Sequence, residues 1–236
     1  MELHQVFLVV VDISGYTRFI RQHQMSLMHA EAIITTLMES VIDASEHPLT
    51  VNKLEGDAVL FYALSDRSGA AARDIFAQVL RFSEAFYARL GQLQQRSFCT
   101  CQGCTQMGQL DIKAVVHHGE AALKRVKQFE ELAGEEVILV HRLLKNTIGK
   151  ERYVLMSEPF FRLLAPGNPE AFEARTEQCE GIGAVTVFVH HPGAPLPIAA
   201  PASRWDKLRH AGLLHGYVLR RLLRLRRPAF SHLGQA

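Results

Sequence analysis

The chain has 236 residues, enough for one large domain or one domain with an appendage, and its 48% apolar content is ample for a core. No run of about 18 apolar residues is present, so no transmembrane helix is expected. The net charge of +2 hides an asymmetry: residues 204–236 hold eight Lys/Arg and one acid (+7), and residues 1–203 hold eighteen Lys/Arg and twenty-three acids (−5). The N-terminus enters an amphiphilic strand with an acid at position 2, so no export signal is expected and the protein is read as cytoplasmic.

Gln5–Val11 is near-continuously apolar, as in a strand buried on both faces. It ends in Asp12, and Gly15-Tyr16-Thr17 turns the chain towards a long helix. A carboxylate at a strand tip beside free helix-start N–H groups suits metal-bound phosphate, and it also suits simple capping. Ala30, Ile33, Ile34, Leu37, Met38, Val41 and Ile42 then recur at helical spacing, and His47-Pro48 ends that helix. Thr50–Leu54 and Ala58–Ala63 read as a hairpin around Glu55-Gly56-Asp57. A second helix starts near Gly69, with Ile75, Val79, Phe82, Phe86, Leu90 and Leu93 on one stripe.

Residues 96–109 form a polar insert with three cysteines. Leu110–His117 predicts a strand, His118-Gly119 a turn, and Glu120–Lys127 another strand. Glu135–Asn146 predicts a helix, Arg152–Met156 a short strand, and Ser157-Glu158-Pro159 a helix start. Phe172–Gln178 and Ala184–His190 close a domain over residues 1–191. Four prolines make residues 192–203 a linker, and residues 204–236 a basic tail with an amphipathic helix over Trp205–Arg227. That helix can lie on an anionic membrane surface, here the inner face, or dock on protein. The tail lacks interleaved aromatics, so nucleic-acid binding is not expected.

Cys99, Cys101 and Cys104 form C-x-C-x2-C. Close thiolates suit tetrahedral Zn²⁺, with Cys179 the first choice of fourth ligand and His117 or His118 next. A loop of reactive thiols is the alternative. His117-His118 and His190-His191 are adjacent on strands, so each pair splits between two faces and does not chelate together. Walker A, Rossmann and G-x-S-x-G patterns are absent.

Asp57 stands in the hairpin turn, 45 residues after Asp12. If the two strands are neighbours, both carboxylates reach one sheet edge, where a cation between them would offset their repulsion. With VVVDISGYT, KLEGDAVLF, LDIKAVVHHGEA and ELAGEEVILVHRL in that order over about residues 5–190, the chain resembles the class III adenylate/guanylate cyclase catalytic domain. The form HHGE…GEEVILVHRLLKN, after a cysteine-rich insert, is similar to a DUF2652-type bacterial branch.

The resemblance implies an α+β fold: a ferredoxin-like βαββαβ core with extra C-terminal strands. It implies a homodimer with shared sites, a nucleoside triphosphate substrate and two Mg²⁺ (or Mn²⁺) per site. Asp12 and Asp57 match its metal-binding aspartates, with the Ile13 carbonyl as a further contact. The Gly15, Tyr16 and Thr17 backbone would lie by the triphosphate. Lys53 and Glu131 match the purine-reading pair, where most members have Asp in place of Glu131. Arg142 matches the arginine that stabilises the transferring phosphoryl group. Two positions depart from the pattern: the transition-state asparagine is Ile138, and a late phosphate-binding lysine is Glu180. The resemblance therefore implies either an adenylate-cyclase-type enzyme making 3′,5′-cyclic AMP or a non-catalytic nucleotide-sensing or dimerising relative.

Overall fold

The computed structural model describes residues 2–22, 27–65, 69–96, 101–149 and 152–193. Eight strands form one sheet: β1 (Glu2–Ser14), β2 (Thr50–Glu55), β3 (Ala58–Leu64), β4 (Asp111–Val126), β5 (Phe129–Ala133), β6 (Tyr153–Ser157), β7 (Glu173–Cys179) and β8 (Gly183–His190). Their order is β2-β3-β1-β4-β6-β8-β7, with β5 paired to β4 off that path. Among the described residues only the β4–β6 pair is parallel. The helices are α1 (Tyr16–Gln22), α2 (Leu27–Asp43), α3 (Gly69–Arg96), α4 (Gln102–Gln106), α5 (Glu135–Leu143) and α6 (Glu158–Leu164). Strands β1 to β4, with α2 and α3 in the two crossovers, form the expected βαββαβ core. Strands β6, β7 and β8 extend it.

The apolar run in β1 follows from double burial. Phe7, Val9, Val11 and Ile13 enter a core covered by α2, α3 and α6. Val6, Leu8 and Val10 enter a second core covered by α5. Burying each such side chain contributes roughly 1.5–3 kcal/mol. A charge inside the run, such as Val9→Asp, would be left uncompensated and would break the sheet. The stripes expected on α2 and α3 are buried in the first core, where the Phe61 and Phe82 rings stack at 5.1 Å.

Three local expectations change. The long helix after Gly15 is instead two helices, α1 and α2. His118-Gly119 is not a turn: β4 runs straight through it, because β1 pairs with β4 from Ser14↔Asp111 to Glu2↔Leu123. Gly119 instead makes room, since a Cβ there would lie 2.7 Å from Glu136 Cγ on α5. The chain reverses later, near Lys127 with φ of 55°, and enters β5. Finally, α5 stops at Leu143 rather than Asn146. There the Asn146 side chain takes over backbone partners, donating to the Leu143 carbonyl at 2.7 Å and accepting from Ile148 N–H at 3.0 Å. Cys99, the tail and all but the first two residues of the linker lie outside the described residues. Among the described residues no helix is long and apolar enough to cross a membrane.

Candidate functional site

Neighbouring strands bring the two aspartates together. Asp12 on β1 pairs with Ala58 on β3, and Ile13 N–H donates to the Asp57 carbonyl at 3.1 Å. Asp12, Asp57 and Ile13 border one cleft of about 410 Å³, with Gly15, Tyr16 and Thr17 along the same wall. Gly15 has φ of +88°, a conformation that lets the chain leave the strand for α1 at little cost. The Tyr16 hydroxyl donates to Glu31 at 3.2 Å, which ties α1 to α2.

Electrostatics in the cleft favour a cation. Burial, then the negative charge of Asp12, push the Asp57 carboxyl up to about 6. A carboxyl held back from ionising by a neighbouring carboxylate belongs to a donor set that a hard divalent ion stabilises. Lys113, the β4 register partner of Asp12, places Nζ 3.0 Å from Asp12 Oδ2. Burial, the largest single influence, would lower the Lys113 pKa, but Asp12, Tyr153 and Asp57 together outweigh it and the net shift is upward, so this ammonium stays charged. Lys113 and Asn146 both border the cleft, and sequence reasoning assigned neither to it. The signal for Lys113 lay inside LDIKAVVHHGEA, but reading it requires the β1–β4 register.

Lys53 and Glu131 also come together, at 3.5 Å, and Lys53 lies 3.2 Å from Glu55. They border a separate pocket of about 360 Å³ with Asn52, Tyr62 and Phe129. Among the described residues none borders both cavities. On α5, Arg142 Nη1 donates to Glu180 Oε2 at 2.8 Å, so the two positions meet as an ion pair. Ile138 is exposed and borders neither cavity.

The cysteine set is not brought together as expected. Cys101 flanks α4 and Cys104 lies in it, packed on the α2 side of the sheet. Cys179 ends β7 in the core on the opposite face, so it is not a fourth ligand for the insert. His117 is bonded to Ser157 and Glu136, each at 2.7 Å, and His118 to Ser65 at 3.0 Å. These two rings sit on opposite faces, as strand alternation requires. The residue that does meet Cys101 and Cys104 is His29 of α2.

Comparison with known proteins agrees with this architecture. The adenylyl cyclase CyaB from P. aeruginosa superposes with a TM-score of 0.58 at 14% identity, covering 83% of this chain and 98% of that one. The guanylyl cyclase Cya2 gives 0.59 at 17% identity, covering 85% and 98%. At such identity the likeness is one of fold. The sequence is 36% identical over 166 residues to "Uncharacterized protein Rv2561/Rv2562" of Mycobacterium tuberculosis (strain ATCC 25618 / H37Rv), covering 70% of this chain and 76% of that protein. The family described as "Protein of unknown function (DUF2652)" matches residues 34–153. The chain therefore belongs to the DUF2652 family, built on the fold of class III cyclase catalytic domains.

Proposed function

We propose that this chain binds a purine nucleoside triphosphate with divalent cations at the Asp12–Asp57 cleft and converts ATP slowly to 3′,5′-cyclic AMP and pyrophosphate. The observation that carries this reading is the convergence of two aspartates at one cleft, where Asp57 resists ionising beside Asp12. Asp12, Asp57 and the Ile13 carbonyl would hold two Mg²⁺ or Mn²⁺ ions. When bound, these ions would neutralise the triphosphate and lower the pKa of the attacking ribose hydroxyl. Lys113 is within reach to pass from Asp12 to a phosphate oxygen. Lys53 and Glu131 would read the purine edge, and Arg142 would offset charge on the transferring phosphoryl group. The cleft and the Lys53–Glu131 pocket share no described lining residue, and the cyclase resemblance implies sites shared between two copies, so the reading includes a homodimer in which one copy's cleft faces the other's pocket. The domain limits, 1–191 with a linker over 192–203, and a tail from residue 204 on an anionic membrane, belong to the same proposal.

A second reading is favoured by Glu180 holding Arg142 and by the exposed Ile138: a non-catalytic module that senses nucleotide or dimerises. Loss of one positioned group costs about a hundred- to a thousand-fold in rate. The discriminating experiment incubates the full-length protein with ATP, GTP, CTP or UTP and Mg²⁺ or Mn²⁺. Cyclic AMP formation supports the first reading. Metal-dependent ATP binding without product supports the second, and absence of both overturns the nucleotide reading.

A further inference from the structure

The insert before β4 carries a cluster that the nucleotide reading does not use. Cys101 directly precedes α4, Cys104 lies within it, and His29 stands in the first turn of α2. The two sulfurs and one imidazole nitrogen all lie within 4.8 Å of one another, and His29 Nδ1 is 3.5 Å from Cys101 Sγ. A tetrahedral ion bound at about 2.3 Å to sulfur and about 2.0 Å to nitrogen sets adjacent S and N ligands about 3.5 Å apart. The His29–Cys101 pair thus already has the edge length of a metal tetrahedron. Two thiolates and an imidazole select Zn²⁺ over the oxygen-seeking Mg²⁺ of the aspartate cleft. Cys104 is buried, which shields a metal thiolate from water and oxidants.

We propose that His29, Cys101 and Cys104 bind a thiophilic divalent cation, Zn²⁺ foremost, with a water or one further donor completing the tetrahedron. Binding releases the two thiol protons to solvent and changes no oxidation state. The ion fastens together residues 72 positions apart in sequence, so it restrains a long loop of the unfolded chain. It also acts towards the cleft: α4 packs on α1 and α2, Met107 after it is buried, and a Cβ on Gly15 would meet the Gln109 carbonyl at 3.3 Å. The insert therefore backs the segment that forms the wall of the aspartate cleft, and the ion holds it there in a structural role.

The test strips the full-length protein of metal under reducing conditions and titrates it with Co²⁺, then Zn²⁺. About one equivalent of Co²⁺ should give tetrahedral d–d and thiolate charge-transfer bands that Zn²⁺ bleaches, with a rise in Tm. Affinity should fall at least about 100-fold in Cys104→Ser and in His29→Ala. The part-exposed His29 makes the second variant the milder one for folding, and circular dichroism checks both. Cys179→Ser and the double variant Asp12→Asn/Asp57→Asn should keep the bands. Absence of charge-transfer bands in the parent protein, their survival in both ligand variants, or their loss with Cys179→Ser would overturn the proposal.

Discussion

The aspartate cleft and the lysine–arginine side of the molecule differ in how their charges are balanced. In the cleft, Asp57 stays raised in pKa by burial and by Asp12 even with Lys113 nearby. On the other side the two cations of the proposed site each have a carboxylate at hand: Lys53 has Glu55 and Glu131, and Arg142 has Glu180. A carboxylate pair in which one member resists ionising even beside a lysine is improved by an added cation. A satisfied ion pair must give up a partner before it can act on a ligand, and at an exposed surface that partner is held only weakly. The two halves therefore call for different experiments: removal in the first and release in the second.

Removal should have the largest effect. Asp57→Ala is expected to weaken metal-dependent ATP binding at least about 100-fold, measured by calorimetry with and without Mg²⁺. Retained binding would separate nucleotide from the cleft and break the comparison. Release should come next. Glu180→Gln frees Arg142, and Ile138→Asn restores a hydrogen-bonding group on α5. Together they should raise cyclic AMP formation about tenfold or more over the parent, with Glu180→Gln alone giving less. An unchanged rate in the double variant would sharpen the comparison towards the non-catalytic reading.

A smaller effect concerns pH. The Asp57 carboxyl is raised in the folded protein from 3.8 to about 6, so its ionisation costs the folded state. That cost is absent below the unfolded pKa, grows between the two values and is complete above the folded one. In the presence of EDTA, Asp57→Asn should therefore raise Tm by a few degrees at neutral pH and give no gain near pH 4. A gain that is equal at both pH values would mean that the Asp57 charge is not the cause. The smallest expected difference is at the tail. Truncation after residue 203 should reduce sedimentation with anionic liposomes and leave ATP binding unchanged, whereas equal sedimentation of both proteins would remove the membrane role.

Much of this was legible before folding was considered. The buried strand at Gln5–Val11, the stripes on α2 and α3 and the hairpin at Gly56 each carry their own periodicity or turn chemistry. Asp12 and Asp57 could be singled out because each flanks an apolar strand, Asp12 after Gln5–Val11 and Asp57 in the turn just before Ala58–Ala63. What failed was local geometry that long-range partners decide. Gly119 reads as a turn residue, but it lies in an unbroken ladder and serves the approach of Glu136. Cys179 reads as the missing thiol, but strand β7 carries it to the opposite face of the sheet.

By itself the sequence determined the strand and helix types, because these depend on residue identity and short-range spacing, while the pairing of the aspartates and the departures at Ile138 and Glu180 were what the family resemblance implied. Only the tertiary structure decided that Lys113 stands against Asp12, that Arg142 is held by Glu180, and that His29 joins Cys101 and Cys104. Each of these contacts spans 38 to 101 residues of chain, so sheet register and helix docking set it, and no local pattern encodes it.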